Sequence, residues 1–273
     1  RTHSWRTRWS PTRSHSAMAT IVDRVRAAAE PFGLNLVAAV PVDRYDAIVA
    51  EPYRATAIDP RAKSIVVIAN GGGALWSALK RHAERNPGWF NREHPLDDFT
   101  RTIVENEVAP AVRDANAQFN IVFPFMSGKA ALNFMELGKA AGLAGPSILG
   151  VLINPKFGPW MAFRAAILVD QLIDEPGEAR EFDPCPSCKV RSCIAACPTG
   201  AVAFPSGWDI PRCVAYRIEV EADCRTRCHA RVACVVGPEH RYPDDEIAHH
   251  HARAFRAMRP WYERNIKARQ ETK

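Results

Sequence analysis

Every cysteine in this 273-residue chain lies between Cys185 and Cys234. The stretch CPSCKVRSCIAACPTGA, residues 185 to 201, holds four of the eight, and proline follows the last. A chain that staples its loops with disulfides spreads cysteines over the whole fold. Here the 184 residues before Cys185 carry none. The distribution points to a metal-binding segment in a reducing compartment, so a cytoplasmic location is expected.

The first run reads Cys185-x2-Cys188-x4-Cys193-x3-Cys197-Pro198, and Cys213, Cys224, Cys228 and Cys234 follow. A structural zinc site takes its four ligands as two close pairs. Three thiols in quick succession, with a fourth before proline, suit a cubane iron–sulfur cluster instead. The Thr199-Gly200-Ala201 turn is small enough to let backbone amides approach sulfur. In two-cluster ferredoxins the fourth cysteine of a run ligates the other cluster. On that pattern Cys185, Cys188 and Cys193 take Cys234, while Cys213, Cys224 and Cys228 take Cys197, which uses all eight. Two [4Fe–4S] clusters are therefore expected. One cluster with leftover cysteines, or zinc, stays open, because the second run is loosely spaced and Val235 follows Cys234. Clusters imply electron transfer, with a donor such as a flavodoxin or ferredoxin.

The rest of the chain reads as interleaved helices and strands. Residues 19–30 have apolar positions at helical spacing. Residues 34–40, 64–70, 119–125, 147–153 and 161–169 read as strands, the last two as a hairpin around the loop NPKFGPW. Helices are expected at 74–85, 96–115 and 130–141, with Pro110 kinking or dividing the second. The strand–Gly71-Gly72-Gly73–helix junction lacks both phosphate-binding spacings, so a tight turn is expected there. The consecutive histidines 249–251 point in three directions on a helix and read as a solvated face.

Residues 1–17 contain four arginines and no acid, which supplies most of the formal charge of +6. The remainder is near neutral, so nucleic-acid binding is not expected. No apolar run is long enough to span a membrane. The organisation expected is α+β: a leader or scar at 1–17, an α/β domain at 18–174, a cysteine domain at 175–245, and a C-terminal helix and tail at 246–273.

CPSCKVRSCIAACPTGAV and PRCVAYRIE resemble the ferredoxin domain of epoxyqueuosine reductases, and residues 140–173, with INPKFGPW, resemble the stretch before those clusters. PFGLNLVAAVPVDRYDAIV and SIVVIANGGGALWSALKRHAE are similar to the cobalamin-processing protein of methylmalonic aciduria and homocystinuria type C. The two resemblances imply a nitroreductase-like α/β domain, then a ferredoxin-like two-cluster domain. They also imply a cobalamin, ahead of a flavin, as organic cofactor, and a small-molecule or corrinoid substrate. They place Asn154, Lys156, Phe157, Gly158, Trp160 and Arg164 at the cofactor, Arg164 matching an arginine that faces the substrate pocket. The reductases carry a proton-donor aspartate after the 119–125 strand, where this chain has Ser127-Gly128-Lys129. Lys129 is a candidate for binding a phosphate or carboxylate group.

Overall fold

The computed structural model describes residues 19–126, 131–173, 182–220 and 223–267. The organising element is strand β2, Ser64–Gly71, every residue of which is buried. It pairs antiparallel with β1, Leu36–Pro41, and with β4, Met161–Val169, and β4 pairs with β3, Phe119–Val122. The sheet order is β1-β2-β4-β3.

Alternation along the strands divides the core into two layers. Val66, Ile68, Ala165 and Ile167 face one cluster, and Ile65, Val67, Ala166 and Leu168 face the other. Each fully buried aliphatic side chain contributes about 1.5–3 kcal/mol.

The first layer is roofed by α1, Ile21–Ala29, which buries Ile21, Val22, Val25 and Ala29 and starts at a capping box of Thr20 and Asp23. The second layer is roofed by α2, Val42–Asp46, and α3, Ala55–Ile58, which supply Val42, Tyr45 and Ala55, with Val49 from the chain between them. Helix α4, Ala74–Arg85, leaves the glycine turn and packs Leu75, Trp76 and Leu79 on the first layer. So do α5, Pro95–Ile103, and α6, Ala109–Arg113. Between these two the chain widens into a π-helical turn, Val104–Val108. Pro110 removes one amide from the ladder, and the chain absorbs the loss there rather than breaking. Helix α7, Phe134–Ala140, covers the second layer, capped by Asn133. The start expected for it at residue 130 and the lysine at 129 lie outside the described residues.

The hairpin expected for 147–153 and 161–169 does not form. Residues 147–153 are turns touched by isolated bridges, Gly145 with Ile153 and Asn154 with Gly158. Pro146, Gly150 and Pro155 break that apolar run, and β4 takes its partners from β2 and β3 instead. The register of β2 on β4 shifts between Ile68 and Ala69: Ile68 meets Ala165 and Ala69 meets Phe163. Arg164 is thus the residue that the bulge leaves unpaired, and a bulge re-aims its side chain.

The cysteine segment has little regular structure: α8, Ser192–Ala195; a two-stranded ribbon of β5, Val202–Ala203, and β6, Gly207–Trp208; α9, Ile210–Glu219; and α10, His229–Val232. The chain then enters α11, Asp244–Tyr262, which lies across both parts of the molecule. Asp245 accepts from Trp76 Nε1 at 2.9 Å and from Lys80 at 3.0 Å. Further along, His251 and Met258 receive the Arg217 guanidinium of α9.

The three histidines are therefore not a solvated face. His249 packs on Trp76 at 4.8 Å between ring centroids, His250 on Tyr242 at 5.8 Å, and His251 meets Arg217. They do diverge, as expected, but the helix is wedged between layers and each direction meets protein.

Candidate functional site: two thiol-lined cavities

All eight cysteines are free and half-buried, and they divide by position. Cys197, Cys213, Cys224 and Cys228 line one cavity of about 170 Å³. Cys185, Cys188, Cys193 and Cys234 line a second, narrower one of about 30 Å³. Leu149 stands in the wall of both. Among the described residues, no three His, Cys, Asp or Glu side chains converge closely enough to hold a single metal ion. The thiols surround space instead of meeting at a point.

Electrostatics follow the same division. Burial pushes the Cys193 thiol up, and the cysteines acting on it are Cys234, Cys185 and Cys188. Burial pushes Cys224 up to about 11, with Cys228, Cys213 and Cys197 adding to it. No cysteine of one cavity figures in the shift of a thiol of the other.

Cys197 is the exception in direction. Burial opposes its ionisation, but the Thr199 amide and hydroxyl and the Val202 and Ala201 amides outweigh it and hold the thiol below its ordinary range. The turn that aims these donors passes through Gly200, at φ +65°. Cys213 faces burial too, relieved by a hydrogen bond from Trp208 and by the charge of Arg217.

The two extra residues of the first run find a local explanation. Val190 is exposed, and Arg191 takes a left-handed φ of +46° to start α8. Its Nε donates to Cys188 O at 3.2 Å, and its guanidinium lies 4.0 Å from the Phe204 ring centroid. Ser192 Oγ donates to Ala233 O at 2.5 Å, which ties α8 to the chain beside Cys234.

The residues expected at an organic cofactor sit elsewhere and face inward. Asn154 builds its own loop: its Oδ1 accepts from the amides of Lys156 and Phe157, both at 2.9 Å, and its Nδ2 donates to Leu143 O at 2.7 Å. Phe157 is buried between the Gly71 turn and His240. Gly158 has φ +58°, and a Cβ there would stand 1.9 Å from Val236 O. Trp160 is 1% exposed and packs against Tyr242 and the Arg231 guanidinium. Arg164 is buried and donates to Asn70 Oδ1 at 2.6 Å, and Asn70 in turn reaches the Tyr242 hydroxyl at 3.4 Å. Only Lys156 is exposed. The segment from Val236 to Ile247 packs against this face, with Val236 O beside Gly158, Tyr242 against Trp160 and Pro243 beside Gly73.

The glycine junction is a tight turn, as expected. A Cβ at Gly71 would strike the Phe157 ring at 2.3 Å, so the space beside the turn is filled by an aromatic ring.

Sequence reasoning missed Arg217, Arg231, Tyr242 and Glu246. A signal existed for the first: Arg217 follows Cys213 by one helical turn on α9 and so shares its face. A third cavity, about 210 Å³, opens at the β3 edge between Ile58, Asn120 and Phe123. Residues 127–129, where the reductases carry their aspartate, lie outside the described residues.

The sequence matches no protein-family model and no curated protein. Solved structures do match. Epoxyqueuosine reductase from Streptococcus thermophilus is 13% identical, at TM-score 0.50, over 80% of this chain and 66% of its own. The C. elegans B12-trafficking protein CblC is 16% identical, at TM-score 0.56, over 90% of this chain and 96% of its own. The fold is theirs. The neighbours are those that the cysteine runs and the INPKFGPW stretch suggested. This chain spans slightly less than two thirds of the epoxyqueuosine reductase, whereas it spans nearly all of CblC. Another epoxyqueuosine reductase, solved with a tRNA-Tyr stem loop, is 13% identical over 82% of this chain and 67% of its own, at TM-score 0.46.

Proposed function

We propose that this protein is an iron–sulfur oxidoreductase that holds two [4Fe–4S] clusters, one in each thiol-lined cavity. Cys185, Cys188, Cys193 and Cys234 hold the first, and Cys197, Cys213, Cys224 and Cys228 the second. The observation that carries this reading is the division of eight free cysteines into four and four around separate cavities. Thiolates at that count and spacing suit such clusters, which supply one-electron transfer. The chain itself contributes the ligands, the amides and hydroxyl aimed at Cys197, and a wall shared through Leu149 that keeps the two sites adjacent.

The electron acceptor is the less defined half. The fold shared with a B12-trafficking protein favours a corrinoid. The buried state of Asn154, Phe157, Gly158, Trp160 and Arg164 favours a second reading, a ferredoxin-type carrier whose α/β domain docks a partner. Cytoplasmic location and a flavodoxin or ferredoxin as donor belong to the same proposal.

Anaerobic purification with iron and sulfide analysis tests the first half. About eight of each per chain is the expected result. Cys213→Ala is expected to lose about half the iron; complete retention, or total loss in a folded protein, counts against the crossed assignment. Added cobalamin tests the second half. A shifted corrinoid spectrum on the protein selects a corrinoid acceptor, and an unchanged one selects the carrier.

A further inference from the structure

Arg217 is 5% exposed, in the last turn of α9, and it lines the cavity of Cys197, Cys213, Cys224 and Cys228. Its guanidinium has only neutral partners: Met258 Sδ at 2.9 Å, His251 O at 3.3 Å and His251 Nδ1 at 3.4 Å. A guanidinium can only donate, so the His251 Nδ1 that it meets is an acceptor. Arg217 Nε has no partner at all. Among the described residues no carboxylate pairs with this cation. A buried cation without a counter-ion is costly, and proteins pair such charges or use them at a site.

Its position names what it pairs with. Cys213 lies one turn before it on α9, and Arg217 lines the same cavity as Cys213, Cys224, Cys228 and Cys197. The other cavity lacks such a charge. Its arginine, Arg191, is partly exposed and turned onto Phe204, so water screens it.

We propose that Arg217 is the built-in counter-ion of the group held by Cys197, Cys213, Cys224 and Cys228, and that it makes this site the higher-potential one of the two. The inference rests on the two-cluster reading. Each cluster takes up one electron on reduction, which adds one negative charge. A fixed, unscreened positive charge beside one site and not the other stabilises that added charge at the one site. Arg217 touches the ligands' surroundings and not the reacting partner, so it is a positioning residue.

The test is an EPR-monitored redox titration of the anaerobic holoprotein, with iron and sulfide counted on every sample. The unaltered protein is expected to give two midpoint potentials. Arg217→Gln is expected to lower the higher of them and leave the lower in place, so that the gap narrows. Arg217→Lys, which keeps the charge, is expected to keep the gap; a merely structural role does not separate Lys from Gln in this way. Cys213→Ala is expected to remove the higher-potential signal. Identical potentials in Arg217→Gln and parent overturn the proposal, as does movement of the lower potential alone. So does loss of the lower-potential signal in Cys213→Ala, a comparison that stands even where Arg217→Gln does not fold. A parent without eight irons overturns the two-cluster reading itself, and the iron count shows that before any potential is read.

Discussion

At Glu246 the chain buries a carboxyl 3.7 Å from His250, under Arg164 and Arg231. Burial, only partly offset by the two arginines, pushes Glu246 up to about 8. Burial, then the Arg164 charge, pushes His250 down to about 2. At neutral pH both are uncharged. The two run in opposite directions with pH. For Glu246 the folded pKa lies above its unfolded value of 4.5, so its contribution is intact below that and is lost as pH rises towards about 8. For His250 the folded pKa lies below 6.5, so stability is lost as pH falls below that value. Glu246→Gln keeps the shape and removes the titration. Its melting temperature is expected to fall less between about pH 5 and 8, with a gain of about 1–2 kcal/mol at the upper end. Parallel melting curves for parent and variant across that range would show that Glu246 does not titrate there. Glu246 did not stand out in the sequence, because an acid in the first turn of a helix usually faces water. What buries it is the closure of α11 on the Gly73 turn, a long-range contact. At Gly158 the close approach of the Val236 backbone imposes a steric constraint. Gly158→Ala meets both a left-handed φ and the Val236 carbonyl, and is expected to cost roughly 2–4 kcal/mol in chemical denaturation.

Among the elements, those that repeat a simple period were legible and those that depend on a partner were not. β2 and β4 are dense in β-branched and small apolar residues and appear where expected. The 147–153 run has similar composition, yet its ends carry Pro146 and Pro155, and the edges it could pair with are taken by β2 and β3. The cysteines fall four and four around the two cavities, the grouping that their spacing suggests. The histidine face of α11 was misread because a helix between two layers has no free side for three consecutive residues to display. Asp245 is the visible anchor of that helix, joined to Trp76 and Lys80 of α4. Asp245→Ala removes one buried and one exposed partner and is expected to cost about 1–2 kcal/mol. Urea denaturation followed by tryptophan fluorescence checks it; a midpoint equal to that of the parent places the anchor elsewhere.

For the molecule as a whole, the α/β part has two hydrophobic layers of its own, while the cysteine part has few buried apolar residues. Its stability is expected to come from what its thiols bind, since binding to the folded state alone adds to stability. Removing iron with a chelator is expected to lower the unfolding transition of the cysteine segment and leave that of the sheet nearly in place. Scanning calorimetry should resolve two steps where the iron-loaded protein shows a closer pair. A single step that moves as one on chelation would mean that α11 couples the two parts completely.

The exchange of Cys197 and Cys234 between runs also orders events in time. As the chain leaves the ribosome, its first three clustered cysteines emerge with their fourth partner still some forty residues away. The cavity with Cys197 is completed by Cys228, and the other by Cys234 a few residues later. Neither site can be finished early or cut out as a separable piece. A break anywhere between Cys197 and Cys228 leaves both sets of four incomplete, so the segment is made and lost as a unit.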